Sequence, residues 1–268
     1  MRTRKPDVVV FGVCLVWALI VLPRLFTGRW SPEAESAISW VGGVLRLVFL
    51  VVAAAAATRT VSLLDRENPA RRSQALLAGG FTVYLIAQST LFVLTMTADG
   101  ATPYPSVADL GFFLAMVLLI AGVIVGIRTW LSLGLFPDGG RKAASAAVLA
   151  AIPMAIGTIV VVRSLAPVEL PALQVAADIT YPVLDSILVI VTAAMLRLNV
   201  MMGRSRVGVV WRSLLIGFLA MAAGDVFYSF FAGFDLDVLD PLIDVLYMVA
   251  YGLYARGALL QLSLVREG

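Results

Sequence analysis

Eight apolar stretches, each about as long as a bilayer is thick, constrain this chain more than any other feature. A helix rises ~1.5 Å per residue, so ~20 apolar residues cross a hydrocarbon core. Runs of that kind lie at 8–26, 37–57, 74–97, 108–131, 143–163, 173–197, 208–232 and 239–263. The connectors between them carry turn residues and charge, as in "DRENPARR", "ADGATPYPS", "FPDGGRK" and "GFDLD". None is long enough to hold a soluble domain. Composition agrees: 61% of residues are hydrophobic and 14% charged, against roughly 45–50% and 25% in soluble domains. The expected fold is all-α, a polytopic membrane protein with eight transmembrane helices in one membrane domain over 1–268.

Orientation follows from the basic residues, which mark cytoplasmic loops. Arg2, Arg4 and Lys5, then Arg59, Arg66, Arg71 and Arg72, then Arg128, Arg141 and Lys142, then Arg197, Arg204, Arg206 and Arg212 all fall on one side of the eight-span scheme. The other side holds only Arg24, Arg29 and Arg163. Both termini are therefore expected in the cytoplasm of a multi-pass protein of the cytoplasmic membrane. The first run follows a basic start, as a signal peptide would. It is long enough to span and no small-residue cleavage site follows, so a retained helix is expected.

Several chemistries drop out. The chain has no histidine, which removes His-ligated haem, His-based zinc and histidine proton relays. Neither Lys5 nor Lys142 lies in a span, so a retinal Schiff base has no anchor. No phosphate loop, CxxC or HExxH is present. No metal and no cofactor are expected, and nucleic acid is not an expected partner. Cys14, the single cysteine, lies in an apolar run and reads as a packed thiol.

The chain also repeats itself at an offset of about 136 residues. "LIAQSTLFVLTMTADGATPYPSVADLGFFLAMVLLIAG" from Leu85 parallels "MAAGDVFYSFFAGFDLDVLDPLIDVLYMVAYGLYARG" from Met221. Each copy has a helix with one polar residue (Gln88; Asp225), an acidic connector, Pro105 or Pro241, then Asp109 or Asp244 at the next helix start. Proline suits the first turn, where its missing N–H is not needed. Repeat 1 covers about 8–131 and repeat 2 about 143–263. Four helices per copy preserve orientation, which predicts a pseudo-two-fold axis along the membrane normal.

Ionisable residues inside spans are costly and usually face a bundle interior or a cavity. Here they are Arg46, Asp109, Asp178, Asp185, Asp225 and Asp244, with Gln88 as a neutral companion. All fall between the outer surface and the midplane in the expected orientation. Asp178, Tyr181 and Asp185 share a helix face, as do Asp225 with Tyr228 and Asp244 with Tyr247, Tyr251 and Tyr254. Taken alone, Asp109 and Asp244 read as first-turn acids that complement helix dipoles. Arg46 paired with Asp185 or Asp225 would fix helix packing. The tyrosines would also suit an interfacial aromatic belt. Together, Arg46, Asp178, Asp185 and Asp225 point to a polar cavity open to the outside.

"YPSVADLGFFLAM", the Tyr181-Pro182-Val183-Leu184-Asp185 helix, Asp225 with Tyr228, and "LIDVLYMVAYGL" resemble multi-pass bacterial sensor regions found ahead of GGDEF diguanylate cyclase or histidine kinase domains. The resemblance covers the third to eighth spans. It implies a bacterial signal-input module for a small or lipophilic ligand, with Arg46, Gln88, Asp178, Tyr181, Asp185, Asp225, Tyr228 and Tyr247 as ligand-binding residues and Asp109 and Asp244 at the rim. No output domain follows the last span, so the effector is expected as a further domain or a separate protein at the cytoplasmic C-terminus. The other expected partners are the bilayer and, in a homodimer, a second copy.

Two rival functions remain. A parallel repeat with midplane polar residues also describes small-solute transporters. Tyr181 to Asp185, "AAGD" at Asp225 and Pro241-Leu242 mimic the order of intramembrane aspartyl protease motifs, although Tyr and Asp are not adjacent. That chemistry needs Asp185 and Asp225 carboxyls within about 6 Å, sharing a water. No catalytic residue is assigned, and an enzyme is the less favoured expectation.

Overall fold

A computed structural model describes residues 4–27, 30–97, 104–132, 171–201, 206–232 and 240–267. These form α1 (Arg4–Val21), the single turn α2 (Arg24–Thr27), α3 (Pro32–Leu63), α4 (Arg71–Thr97), α5 (Val107–Ser132), α6 (Ala172–Met201), α7 (Arg206–Ala232) and α8 (Asp240–Glu267). Among the described residues, seven helical segments are long and apolar enough to cross a membrane, α1 and α2 counting as one. The span expected at 143–163 lies outside the described residues.

Local chemistry sets the boundaries. α1 stops before Pro23, which has no N–H to give and crowds the preceding turn; Thr27 then bonds back to the Pro23 carbonyl. α3 outruns the expected 37–57 at both ends. Ser31 caps it by accepting from the Ala34 N–H, and Pro32 occupies the first turn. Glu35 meets Arg24 at 3.1 Å. At the far end Thr60, fully buried, donates to the Ala56 carbonyl and keeps the helix going. Pro241 sits inside the first turn of α8, as expected, whereas Pro105 lies two residues ahead of α5. There Ser106 accepts from the Ala108 N–H, and Asp109 accepts from the Ser106 N–H and hydroxyl, a reciprocal cap. Pro182 is accommodated within α6.

The helices form a ring in which α3, α4, α5, α6, α7 and α8 each pack on the next and α8 closes on α3. α1 lies outside this ring against α8, where Cys14 faces the Met248 carbonyl. α4 and α5 run antiparallel, as do α7 and α8, and both pairs approach closely through glycine. A Cβ on Gly122 would stand 2.9 Å from Leu77, and one on Gly257 would stand 2.8 Å from Leu214. α5 and α6 run in the same direction, since Asp109 meets Tyr181 and Gly126 meets Met195 further along both.

Large residues fill the ring interior: Leu50, Leu119, Met195, Leu198, Met248 and Tyr254 are almost wholly buried. The outer faces are apolar too, with Leu15, Leu19, Val48, Val117 and Leu219 about half exposed or more. A surface so extensively apolar requires lipid. The chain is thus an all-helical, multi-pass membrane protein.

Candidate functional site

The chain contains seven tyrosines, and all seven gather in or beside the same half of the ring. Near the starts of α5, α6 and α8 and midway along α3, three pairs form a rim. Tyr104 donates to Asp178 at 2.8 Å. Tyr181 donates to the second oxygen of Asp109. Arg46 binds Asp244 at 3.0 Å, and its Nε bonds the Gly42 carbonyl. The Tyr104 ring meets Tyr228 edge-on at 6.1 Å. Tyr104 lies before the α5 span. Burial pushes its phenol well above the ordinary range, and the Asp178 carboxylate it binds adds to the rise.

Further in, Tyr247 of α8 donates to Asp225 of α7 at 2.7 Å. Tyr251 of α8 crosses the ring to donate to Gln88 of α4 at 2.7 Å. Tyr84 directs its hydroxyl to the Met221 sulfur at 3.4 Å, joining α4 to α7. The rings of Tyr84, Tyr251 and Tyr254 stand edge-on to one another. Asp185 of α6 and Asp225 of α7 lie within hydrogen-bonding reach of each other. Asp185 is 4% exposed, and its Oδ2 has no hydrogen-bond partner.

The structure therefore brings together nearly every residue singled out from sequence. The stripe on α6 divides between two neighbours: Asp178 and Tyr181 engage the approach to α5, while Asp185 meets α7. Arg46 corrects the expected pairing, because its partner is Asp244 and not Asp185 or Asp225. α3 and α8 run parallel, and the middle of α3 lies beside the start of α8. Tyr228 is 44% exposed and touches the network through Tyr104 alone among the contacts described. Asp109 is a first-turn acid that also ties α5 to α6, whereas Asp244 lies one turn further into α8 than expected and ties it to α3. Sequence reasoning passed over Tyr84 and Tyr104. The signal was present in the tyrosines' restriction to segments that also carry intramembrane acids or Gln88.

Burial increases inward from Tyr228 through the half-buried Asp225 and Tyr247 to Asp185. At the opposite end of the ring, Arg256 of α8 binds Asp7 at 2.7 Å and Ser213, and Arg206 binds Glu267. Beside the Arg256–Ser213 pair, a void of about 20 Å³ lies among Gln74, Phe81, Trp211, Leu214 and Gly257, room for one water. A shallow groove lined by Val51, Ala54, Ala55, Thr58, Arg59 and Ser62 contains none of the candidate residues.

What these features define is a class: a multi-pass helical membrane protein with a buried tyrosine–carboxyl network concentrated in one half. No family model, curated protein or solved structure matches the chain.

Proposed function

We propose that the chain is a membrane-embedded signal-input module whose polar half faces outward and whose termini lie in the cytoplasm. A small or lipophilic ligand enters beside Tyr228 and the rim pairs, and exchanges hydrogen bonds with Arg46, Asp178, Asp225 and Tyr247. The observation that carries this is α8. Its first half holds Asp244, Tyr247 and Tyr251, each bonded to a different helix. Its second half holds Arg256 and Glu267, bonded at the far end. A change in the outer contacts therefore bears directly on the inner end of the same rigid element, and so on an effector there.

The proposed repeat has support in packing. Asp109 and Asp244 lie 135 residues apart, as do their partners Tyr181 and Arg46. Gly122 and Gly257 keep that offset, while Leu77 and Leu214, which they touch, lie 137 apart. Tyr84 and Met221 are themselves 137 apart and touch, as residues on a pseudo-two-fold axis would. α5 and α6 run in the same direction, as the eight-span scheme expects of its fourth and sixth spans.

Hydrogen–deuterium exchange in nanodiscs tests the module. Tyr247→Phe is expected to raise exchange at Ala258–Glu267, more than 15 Å along α8 at ~1.5 Å per residue. Exchange confined to the neighbourhood of residue 247 would refute the coupling. Transport is the first rival: proton flux into liposomes with a trapped pH dye, abolished by Asp185→Asn, would favour it. One observation favours a hydrolytic reading, namely that the Asp185 and Asp225 carboxyls meet the required approach. Tyr247 bonds Asp225 and Asp185 is closed off, which leaves no room for a peptide strand in this arrangement. Cleavage of a helical reporter peptide, lost in Asp185→Asn, would reverse that judgement.

A further inference from the structure

The Asp185–Asp225 pair has a property that the signal-input scheme does not use. A hydrogen bond between two carboxyls needs a proton on one of them, and two bare carboxylates at that separation repel strongly in a low dielectric. The surroundings distinguish the two acids. Asp225 receives the Tyr247 hydroxyl, a donor that suits the ionised form. Asp185 receives no donor at Oδ2, although it is 4% exposed; an acid holding its own proton suits that position better than a carboxylate.

The other groups around the pair do not displace this proton. From α5 comes Asp109, occupied by Ser106 and Tyr181. α8 contributes Tyr247, Tyr251 and Tyr254, and α4 contributes Tyr84 and the neutral Gln88. On α6 itself are Tyr181 and Asp178, the latter bonded to Tyr104. The cation of α3, Arg46, is taken up by Asp244. Every tyrosine here donates or is neutral, so none neutralises a second negative charge.

We infer that Asp185 and Asp225 form a binding site for one exchangeable proton, carried on Asp185 and exchanged through the Tyr228 side of the ring. This deepens the signal-input reading and rests on it for the direction of access: the ligand sensed at the centre is a hydron. Loss of the proton leaves two charges facing each other across the α6–α7 seam, and water must enter to hydrate them.

Dicyclohexylcarbodiimide tests this on the full chain in nanodiscs. The reagent enters from lipid and adds whole across a protonated carboxyl, leaving an N-acylurea that mass spectrometry locates. One adduct per chain is expected, on the peptide bearing Asp185, absent in Asp185→Asn. Its rate should fall about tenfold for each pH unit once the pair begins to lose its proton. In Asp225→Asn the remaining acid has no charged neighbour across the seam to oppose loss of its proton, so labelling should persist with that fall moved to lower pH. Circular dichroism and size-exclusion profiles matching the parent establish that the variants fold. Absence of an adduct at pH about 6, labelling unchanged in Asp185→Asn, or identical pH profiles with and without Asp225 would overturn the site. The adduct is read independently of any movement in α8. Labelling without coupled exchange at Ala258–Glu267 would therefore refute the signal-input reading alone, and coupled exchange without labelling would refute the proton site alone.

Discussion

Arg46 reaches Asp244 at 3.0 Å with its side chain 16% exposed and that of Asp244 32% exposed. The pair lies between the surface case, where an ion pair contributes little, and the buried case, where removing one partner costs 3–5 kcal/mol. Arg46→Ala strands a carboxylate and is expected to cost about 2 kcal/mol, seen as a lower thermal midpoint in detergent. Asp244→Asn keeps an acceptor for the guanidinium and should cost clearly less. Equal losses would mean that charge pairing is not what matters there. At this scale the sequence was informative about which polar residues are interior, because a charge in lipid is expensive whatever its partner. It was uninformative about pairing, since several acids lie at similar depths in different helices. Only the parallel approach of α3 and α8 selects Asp244 over Asp185.

Between elements, the closest contacts are made by glycines. A Cβ at Gly122 meets Leu77 at 2.9 Å and one at Gly257 meets Leu214 at 2.8 Å, while one at Gly12 on α1 meets nothing within 4 Å. Gly122→Val and Gly257→Val are each expected to cost about 1–3 kcal/mol by overpacking, and Gly12→Val little. Unfolding midpoints of the three variants check this, and a Gly12 effect as large as the others would contradict the close-packing account. The spans themselves were visible as apolar runs, yet their ends were not. α3 extends past its hydrophobic stretch because Ser31 and Pro32 start it early and Thr60 satisfies itself internally. The first run breaks at Pro23, which hydropathy does not register.

At the scale of the whole molecule, the sequence showed the apolar helices and which polar residues are interior, but not the closed ring. Lipid-facing and core-facing surfaces are both apolar, so periodicity cannot say which face meets which neighbour. The aromatic stripe of α8 reads equally as an interfacial belt until Tyr247 and Tyr251 are seen to bond Asp225 and Gln88 across the interior. The central claim is that the state of this interior sets the position of the inner end of α8. Spin labels at Ser62 on α3 and Arg266 on α8, in a Cys14→Ala background in nanodiscs, measure that position by pulsed electron paramagnetic resonance. Asp185→Asn is expected to shift the distance distribution by about 2 Å, the scale of helix displacements in switching bundles. Superimposable distributions in the parent and in a folded Asp185→Asn variant would contradict the account.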